Sequence, residues 1–299
     1  MQIKRLWTLS GTMAFAMFVA AAAASAAVDN WKRLDEGLYM REFESPQKSD
    51  MGSSKITVLR INPANYQFKL LTISELGTKA MTAKEWAKKY NLTAAINAGM
   101  YQADSATSVG YMKNFSHVNN PKLAKSYRAA MVFNPVDSSV AEAQLIDSDC
   151  QNMDDIRAKY NTLIQIIRMV SCTNKNVWAQ GQAAWSIAAI AMDKSGNILF
   201  LFSRSPYSVH DFIEIIMSLP ISISTAAYLE GGRQASFYVT AKDNEVEKIG
   251  GYGTNYDDDN AFQSAWPIPN VIGIVKKRTP AAMPATPPAT APAAVKETK

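Results

Sequence analysis

An apolar run over residues 221–229 ends in a single carboxylate, Glu230, followed at once by Gly231 and Gly232. A carboxylate at a strand end, with backbone beyond it free to take positive φ, is a common way to hold an acid in a cleft. The same pattern also makes a plain tight turn whose first residue is acidic. A second segment has a related layout: the apolar run 92–96 delivers Asn97, then Gly99 and Tyr101. The Asn97 amide can donate to a ligand or bond its own backbone in a turn. Three arginines are candidates to meet an anion. Arg168 interrupts the apolar run 163–170, Arg204 lies between a strand and a helix entrance, and Arg233 occupies the turn after Gly232. Helix entrances bind anions through free N–H groups, which favours Arg204 as part of such a site.

His210 sits in that helix's first turn, as a ligand-binding or a capping residue, and His117 lies in a long irregular stretch. Ser208, His210 and Asp211 do not form a nucleophilic relay, because positions this close on one helix cannot line up. With only two histidines and no Cys-x-x-Cys spacing, no metal site and no cofactor is expected. The acidic run Asp257, Asp258 and Asp259 reads as a solvated loop rather than a calcium site.

The segments Asn97-Ala98-Gly99-Met100-Tyr101 and Leu229-Glu230-Gly231-Gly232, with Ser236 beyond, resemble in order and spacing the phosphodiester glycosidase family. Its members carry an Asn-Gly-Gly-Tyr/Phe-Phe-like segment early and a Leu-Asp-Gly-Gly-Gly-Ser-like segment late. Between them, Ala188 to Gly196 is similar to the family's Arg-Thr-Ala-Ile-Gly strand and following turn. The resemblance covers roughly residues 50–275. It implies hydrolysis of a sugar joined through a phosphodiester, such as a linked N-acetylglucosamine. On that reading Glu230 is the key carboxylate, as base toward water or as nucleophile. Asn97 and Tyr101 orient the sugar, while Arg168, Arg204 or Arg233 pairs with phosphate. Gly231 and Gly232 let backbone amides approach the anion. Ser236 and His210 complete the binding set or serve as turn and cap residues. Two departures stand out. The family's Asp is Glu230 here, one methylene longer, and a shift of about 1 Å at a reacting centre can cost on the order of a hundredfold in rate. Trp185, Ser186 and Ile187 stand where the family has its arginine.

The elements that must position these residues read as β-rich. Strands are expected over 38–43, 56–61, 66–73, 92–96, 129–133, 185–192, 198–202, 237–240 and 271–275. Thr82 to Glu85 is a capping box opening a helix to about Tyr90. Ser208 caps a second helix whose buried face is Phe212, Ile215, Ile216 and Leu219, ended by Pro220. Residues 154–168 fit either one amphipathic helix or a helix to about Asn161 followed by a strand from Leu163. Residues 102–128 lack periodicity and are expected to form a loop over the site. The fold class expected is α+β, a single domain over 28–278 with a mixed β-sheet core flanked by helices.

Lys4 and Arg5, the apolar stretch 13–24 and the small residues at 24–27 make residues 1–27 a secretory signal peptide. The Ala/Pro/Thr-rich residues 279–299 are expected to be a disordered tail. The expected location is the periplasm, with membrane contact only through the signal before cleavage. In that oxidising setting the only two cysteines, Cys150 and Cys172, are expected to pair as a disulfide. Net charge is +5, from 31 Lys and Arg against 26 Asp and Glu. Part of that excess sits at the ends and no basic run interleaves aromatics, so nucleic acid is not an expected partner. The expected partner is a sugar phosphate or cell-envelope glycan. Two functions follow: an exported glycosyl phosphodiester hydrolase, or a catalytically silent relative that binds glycan or protein.

Overall fold

Strand, not helix, is the prevailing regular structure among the described residues. In the segment Tyr66–Thr72, Tyr66, Phe68, Leu70 and Thr72 are buried while the residues between them face outward. The computed structural model describes residues 30–252 and 263–278. The proposed signal peptide, the Ala/Pro/Thr-rich tail and Asp257 to Asp259 lie outside the described residues.

The described residues from Trp31 onward form one unit. Its strands are β1 (Lys32–Asp35), β2 (Leu38–Glu44), β3 (Lys55–Ile61), β4 (Tyr66–Thr72), β5 (Ala94–Asn97), β6 (Met112–Asn114), β7 (His117–Asn120) and β8 (Ala129–Pro135). They continue as β9 (Ala143–Asp147), β10 (Tyr160–Val170), β11 (Trp185–Asp193), β12 (Ile198–Tyr207), β13 (Ile223–Gly231), β14 (Ser236–Ala241), β15 (Asn244–Ile249) and β16 (Asn270–Lys276). The helices are α1 (Ile73–Leu76), α2 (Ala83–Tyr90), α3 (Met153–Lys159) and α4 (Val209–Ser218).

Two antiparallel sheets result. The larger has the order β1-β2-β3-β12-β11-β13-β10-β6-β7, with β8 and β9 joined through β10; the smaller runs β15-β14-β5-β16-β4. The expected mixed sheet is therefore corrected: among the described residues every strand pair is antiparallel. Short links account for consecutive pairs such as β2–β3 and β11–β12, since parallel neighbours need long crossovers, while pairs such as β3–β12 and β10–β13 join strands distant in sequence. With few and short helices, α+β holds only roughly.

The sheets pack face to face over Leu59, Phe68, Ile96, Phe200, Leu229, Phe237 and Ile272. On the far side of the large sheet α4 buries Val209, Phe212, Ile213, Ile215 and Ile216. Its Ser208 side chain caps the Asp211 N–H at 3.0 Å, and Leu219 before Pro220 is extended, as a residue preceding proline prefers. Leu219 packs there only in part. On the outer face of the small sheet lies α2, with the capping box formed as expected. Residues 153–170 take the second of the two expected forms, α3 followed by β10.

The stretch 102–128 contains β6 and β7 and is tied down by buried Gln165. That amide donates to the carbonyls of Ala124 and Tyr127 and accepts from the Tyr111 and Ala124 N–H groups. Cys150 and Cys172 are joined in a disulfide. A loop of that length stabilises by about 3 kcal/mol in the chain-entropy picture. No helix among the described residues is long and apolar enough to cross a membrane.

Candidate active site

Glu230 is the penultimate residue of β13. It pairs with Ala188 of β11, while Tyr228 pairs with the adjacent Ala189, so Leu229 is an extra residue on β13. Such a bulge re-aims the side chains beside it. Beyond it Gly231 is extended, and Gly232 has φ of +61°, suited to glycine. A Cβ on Gly231 would strike the Tyr228 hydroxyl and the Trp185 indole. The Gly-Gly pair therefore lets the chain pass close to two aromatic side chains and turn sharply into the short 3-10 turn Gly232–Gln234.

Asn97 fixes that turn from the other sheet. Its Nδ2 donates to the Gln234 carbonyl at 2.9 Å and its Oδ1 accepts from the Ser236 N–H at 2.8 Å. The two segments singled out in the sequence thus meet, but through backbone. With both ends of its amide engaged and 1% of its surface exposed, Asn97 is a clamp on the turn that follows Glu230 and carries Arg233. Removing the amide leaves the buried Ser236 N–H without its acceptor, which costs about 1–3 kcal/mol. Asn97→Ala is expected to lower stability by about 2 kcal/mol in urea unfolding. A variant melting with the wild type would contradict the clamp.

Glu230 is 9% exposed, and burial raises its carboxyl from 4.5 to about 7, against the opposing pull of the Gly231 N–H on Oε1 at 3.0 Å. Burial likewise raises the Tyr101 hydroxyl; the Trp266 hydrogen bond opposes this, the Glu230 charge adds to it, and Arg233 opposes it. Trp266 Nε1 donates to that hydroxyl at 3.3 Å, and the Arg233 guanidinium lies 3.7 Å over the Trp266 ring. Tyr228 is raised by burial and then by the Glu230 charge. A buried carboxylate, a cation stacked on an indole, and two phenols therefore share one neighbourhood. Among the described residues this grouping is the one with a carboxyl shifted toward neutrality, a mark of functional sites.

The other expected residues fall into place around it. Arg204 donates to the Ile249 carbonyl at 2.8 Å and lies 5.4 Å from the Tyr252 ring centre. Ser203 pairs with Ile187 and Gly231 pairs with Ile187, so Arg204 stands two strands over at the same sheet end. That is roughly 10 Å from the Glu230 backbone. Ser236 is buried, with its hydroxyl donating to Gln234 O at 3.0 Å. His210 contacts Asp211 at 3.4 Å and its carbonyl accepts from Asn176; no described contact joins it to Glu230. Arg168 pairs with Ala227, three residues before Glu230 and so roughly 10 Å back along the strand. Its guanidinium is bound to Asp147 and Asp149, both at 2.6 Å, beside the disulfide. Of the three candidate arginines, Arg233 is the one whose charge acts together with that of Glu230 on the Tyr101 hydroxyl. Trp266 and Tyr228 were not singled out from sequence: a lone Trp between Ala265 and Pro267 and an aromatic inside an apolar strand carry no local signal of a site.

Residues 90–275 match the family model described as phosphodiester glycosidase. The chain belongs to the phosphodiester glycosidase family. No curated protein matches its sequence significantly. Among solved structures it is similar to a hypothetical protein from Synechocystis, at 13% identity and TM-score 0.55, over 81% of this chain and 62% of the other. It is also similar to the catalytic domain of zebrafish N-acetylglucosamine-1-phosphodiester alpha-N-acetylglucosaminidase, auto-inhibited by its pro-peptide. That likeness has 10% identity and TM-score 0.53, over 81% of this chain and 84% of that one. At such identities the likeness speaks to fold. The chain spans 62% of the length of the Synechocystis protein. The sequence resemblance puts Glu230 where an Asp is expected. The bulge at Leu229 is the local feature that sets where this longer side chain reaches.

Proposed function

We propose that this member of the family is an exported hydrolase of a glycosyl phosphodiester in the cell envelope, with Glu230 as general base. The observation that carries the reading is the buried Glu230 carboxyl, held near 7, beside Arg233, Trp266 and Tyr101. A base whose pKa lies near the working pH combines availability with proton affinity. Phosphate leaves readily as an anion, so the reaction needs less acid help at the leaving oxygen than an ordinary glycoside does.

The step balances simply. Water oxygen bonds to the anomeric carbon, its proton passes to Glu230, and the bond from that carbon to the phosphate oxygen breaks with its electron pair on the phosphate. A free sugar and a phosphomonoester result. Arg233 and the amide of Gly232 stabilise the phosphate charge as it develops. Tyr101 and Trp266 hold the sugar ring. The N-terminal residues 1–27 and the disulfide support export, and a periplasmic location fits both. The zebrafish relative's substrate makes N-acetylglucosamine the first sugar to try. Glu in place of Asp also favours a second reading, a silent relative that binds envelope glycan without cutting it.

The test is incubation of the purified chain lacking residues 1–27 with an α-N-acetylglucosaminyl phosphodiester carrying a chromogenic alcohol. Release of free sugar and the chromogenic phosphomonoester supports the hydrolase. Inertness on a broad panel of glycosyl phosphodiesters, with glycan binding retained, assigns the silent-binder reading instead.

A further inference from the structure

A groove of about 720 Å³ opens on the outer face of the small sheet, at the strand ends away from Asn97 and Ser236. It is lined by Lys69 of β4 and by Lys276, Lys277 and Arg278 at the end of β16, with no carboxylate among its lining residues. Lys276 pairs with Asp35 at 2.7 Å and Lys277 with Glu142 at 3.1 Å, both acids lying outside the lining. Lys69 and Arg278 form no ion pair among the described residues. The groove therefore presents uncompensated positive charge over a concave, water-filled surface, where field lines concentrate and anions gather.

Its remaining polar lining suits sugar rather than bare phosphate. Asn91, Thr93 and Thr240 offer amide and hydroxyl groups, and Tyr90 adds an aromatic ring backed by buried Trp86 at 5.4 Å. Nothing at this place belongs to the Glu230 site. The groove reaches Thr93, just before β5, while the clamp is Asn97 at its other end, roughly 13 Å farther along the chain. A ligand engaging both places must be a chain of several sugar units.

We infer that this groove is a docking site for a phosphate-bearing glycan chain, holding a polymeric envelope substrate while Glu230 acts elsewhere on the molecule. The anionic character of the ligand follows from the groove alone; its being a glycosyl phosphate chain rests on the proposed hydrolase reading. The site would raise the local concentration of polymer without altering the chemistry on a small substrate.

The experiment uses the chain lacking residues 1–27 with Glu230→Gln, so that binding is read without turnover. The probes are a synthetic hexamer of N-acetylglucosamine joined by phosphodiesters, the neutral hexamer of the same sugar, and inorganic polyphosphate. Both groove substitutions, Lys69→Glu with Arg278→Glu, are at sites with water access, and an unchanged melting temperature confirms folding. The expected result is binding of the phosphoglycan, weakened about tenfold by the double substitution at low salt and weakened further by added salt. In the Glu230 protein the same pair should raise KM on the polymer and leave kcat on the small chromogenic substrate unchanged. Equal binding by the double variant, or by the neutral hexamer, overturns the proposal. Polyphosphate binding as tight as the phosphoglycan overturns its glycan part. Because binding is measured apart from hydrolysis, an inactive but phosphoglycan-binding protein would refute the hydrolase and leave the groove standing.

Discussion

Glu230→Gln is expected to lower kcat/KM on a glycosyl phosphodiester by roughly a thousandfold, within the range that a lost general base produces. The same change should make the protein more stable at alkaline pH. Burial keeps the folded carboxyl near 7, whereas an exposed one titrates near 4.5. Between those values the folded chain holds a proton that the unfolded chain releases, so stability falls as pH rises through this window. A gap of that size corresponds to about 3 kcal/mol, all of it present as protonated carboxyl below 4.5 and lost above 7. Gln keeps the acceptor for the Gly231 N–H and carries no charge to desolvate. Chemical denaturation should therefore show the variant up to about 3 kcal/mol more stable than wild type at pH 8, and nearly equal at pH 4. This opposition between activity and stability is what a functional buried acid produces. A variant that is as active as wild type would remove Glu230 from the reaction, and a stability difference independent of pH would remove its shifted titration.

Arg168→Ala should act in the opposite pattern, costing about 3 kcal/mol of stability while kcat in the folded fraction changes only a few-fold. The Arg168 side chain is 14% exposed and the Asp147 carboxylate 1%. Truncating the arginine leaves a buried carboxylate with only N–H donors, from Cys172 at 2.9 Å and Asp149 at 3.0 Å. Removing one partner of such a pair is more damaging than replacing both. Arg168→Met combined with Asp147→Asn should accordingly lose less than the sum of the single changes. The check is urea unfolding of all four proteins alongside steady-state kinetics. A hundredfold loss of kcat at unchanged stability would return Arg168 to the site.

What the sequence made legible was chiefly local. The Thr82 capping box and the Ser208 cap announce α2 and α4 because caps are read within four residues. The apolar runs around Asp193 and Gly196 announce the β11–β12 hairpin in the same way. Glu230 and Asn97 were visible as polar residues ending apolar runs, and they lie on neighbouring segments of the folded chain. Partners set by long-range pairing were hidden. Arg168 looked like an anion ligand because its carboxylates, Asp147 and Asp149, are distant in sequence and arrive through β9, a strand that sequence reading missed. Asn97 looked like a ligand for sugar because nothing in its neighbours shows that Gln234 and Ser236 take both ends of its amide. β15 escaped notice since its outward residues are charged and its inward ones few. Sheet direction was missed for a related reason: it depends on which strands find one another, not on what each strand contains.

The pH dependence of kcat/KM for the wild-type chain on a small glycosyl phosphodiester reads the protonation state of Glu230 in the reaction. The rate is expected to climb about tenfold per pH unit on the acid side and to level off near 7. That limb should be missing from any residual activity of Glu230→Gln. A rate that falls through pH 7, or that bends near 4.5 as an exposed carboxylate would make it, contradicts a buried carboxylate acting as base.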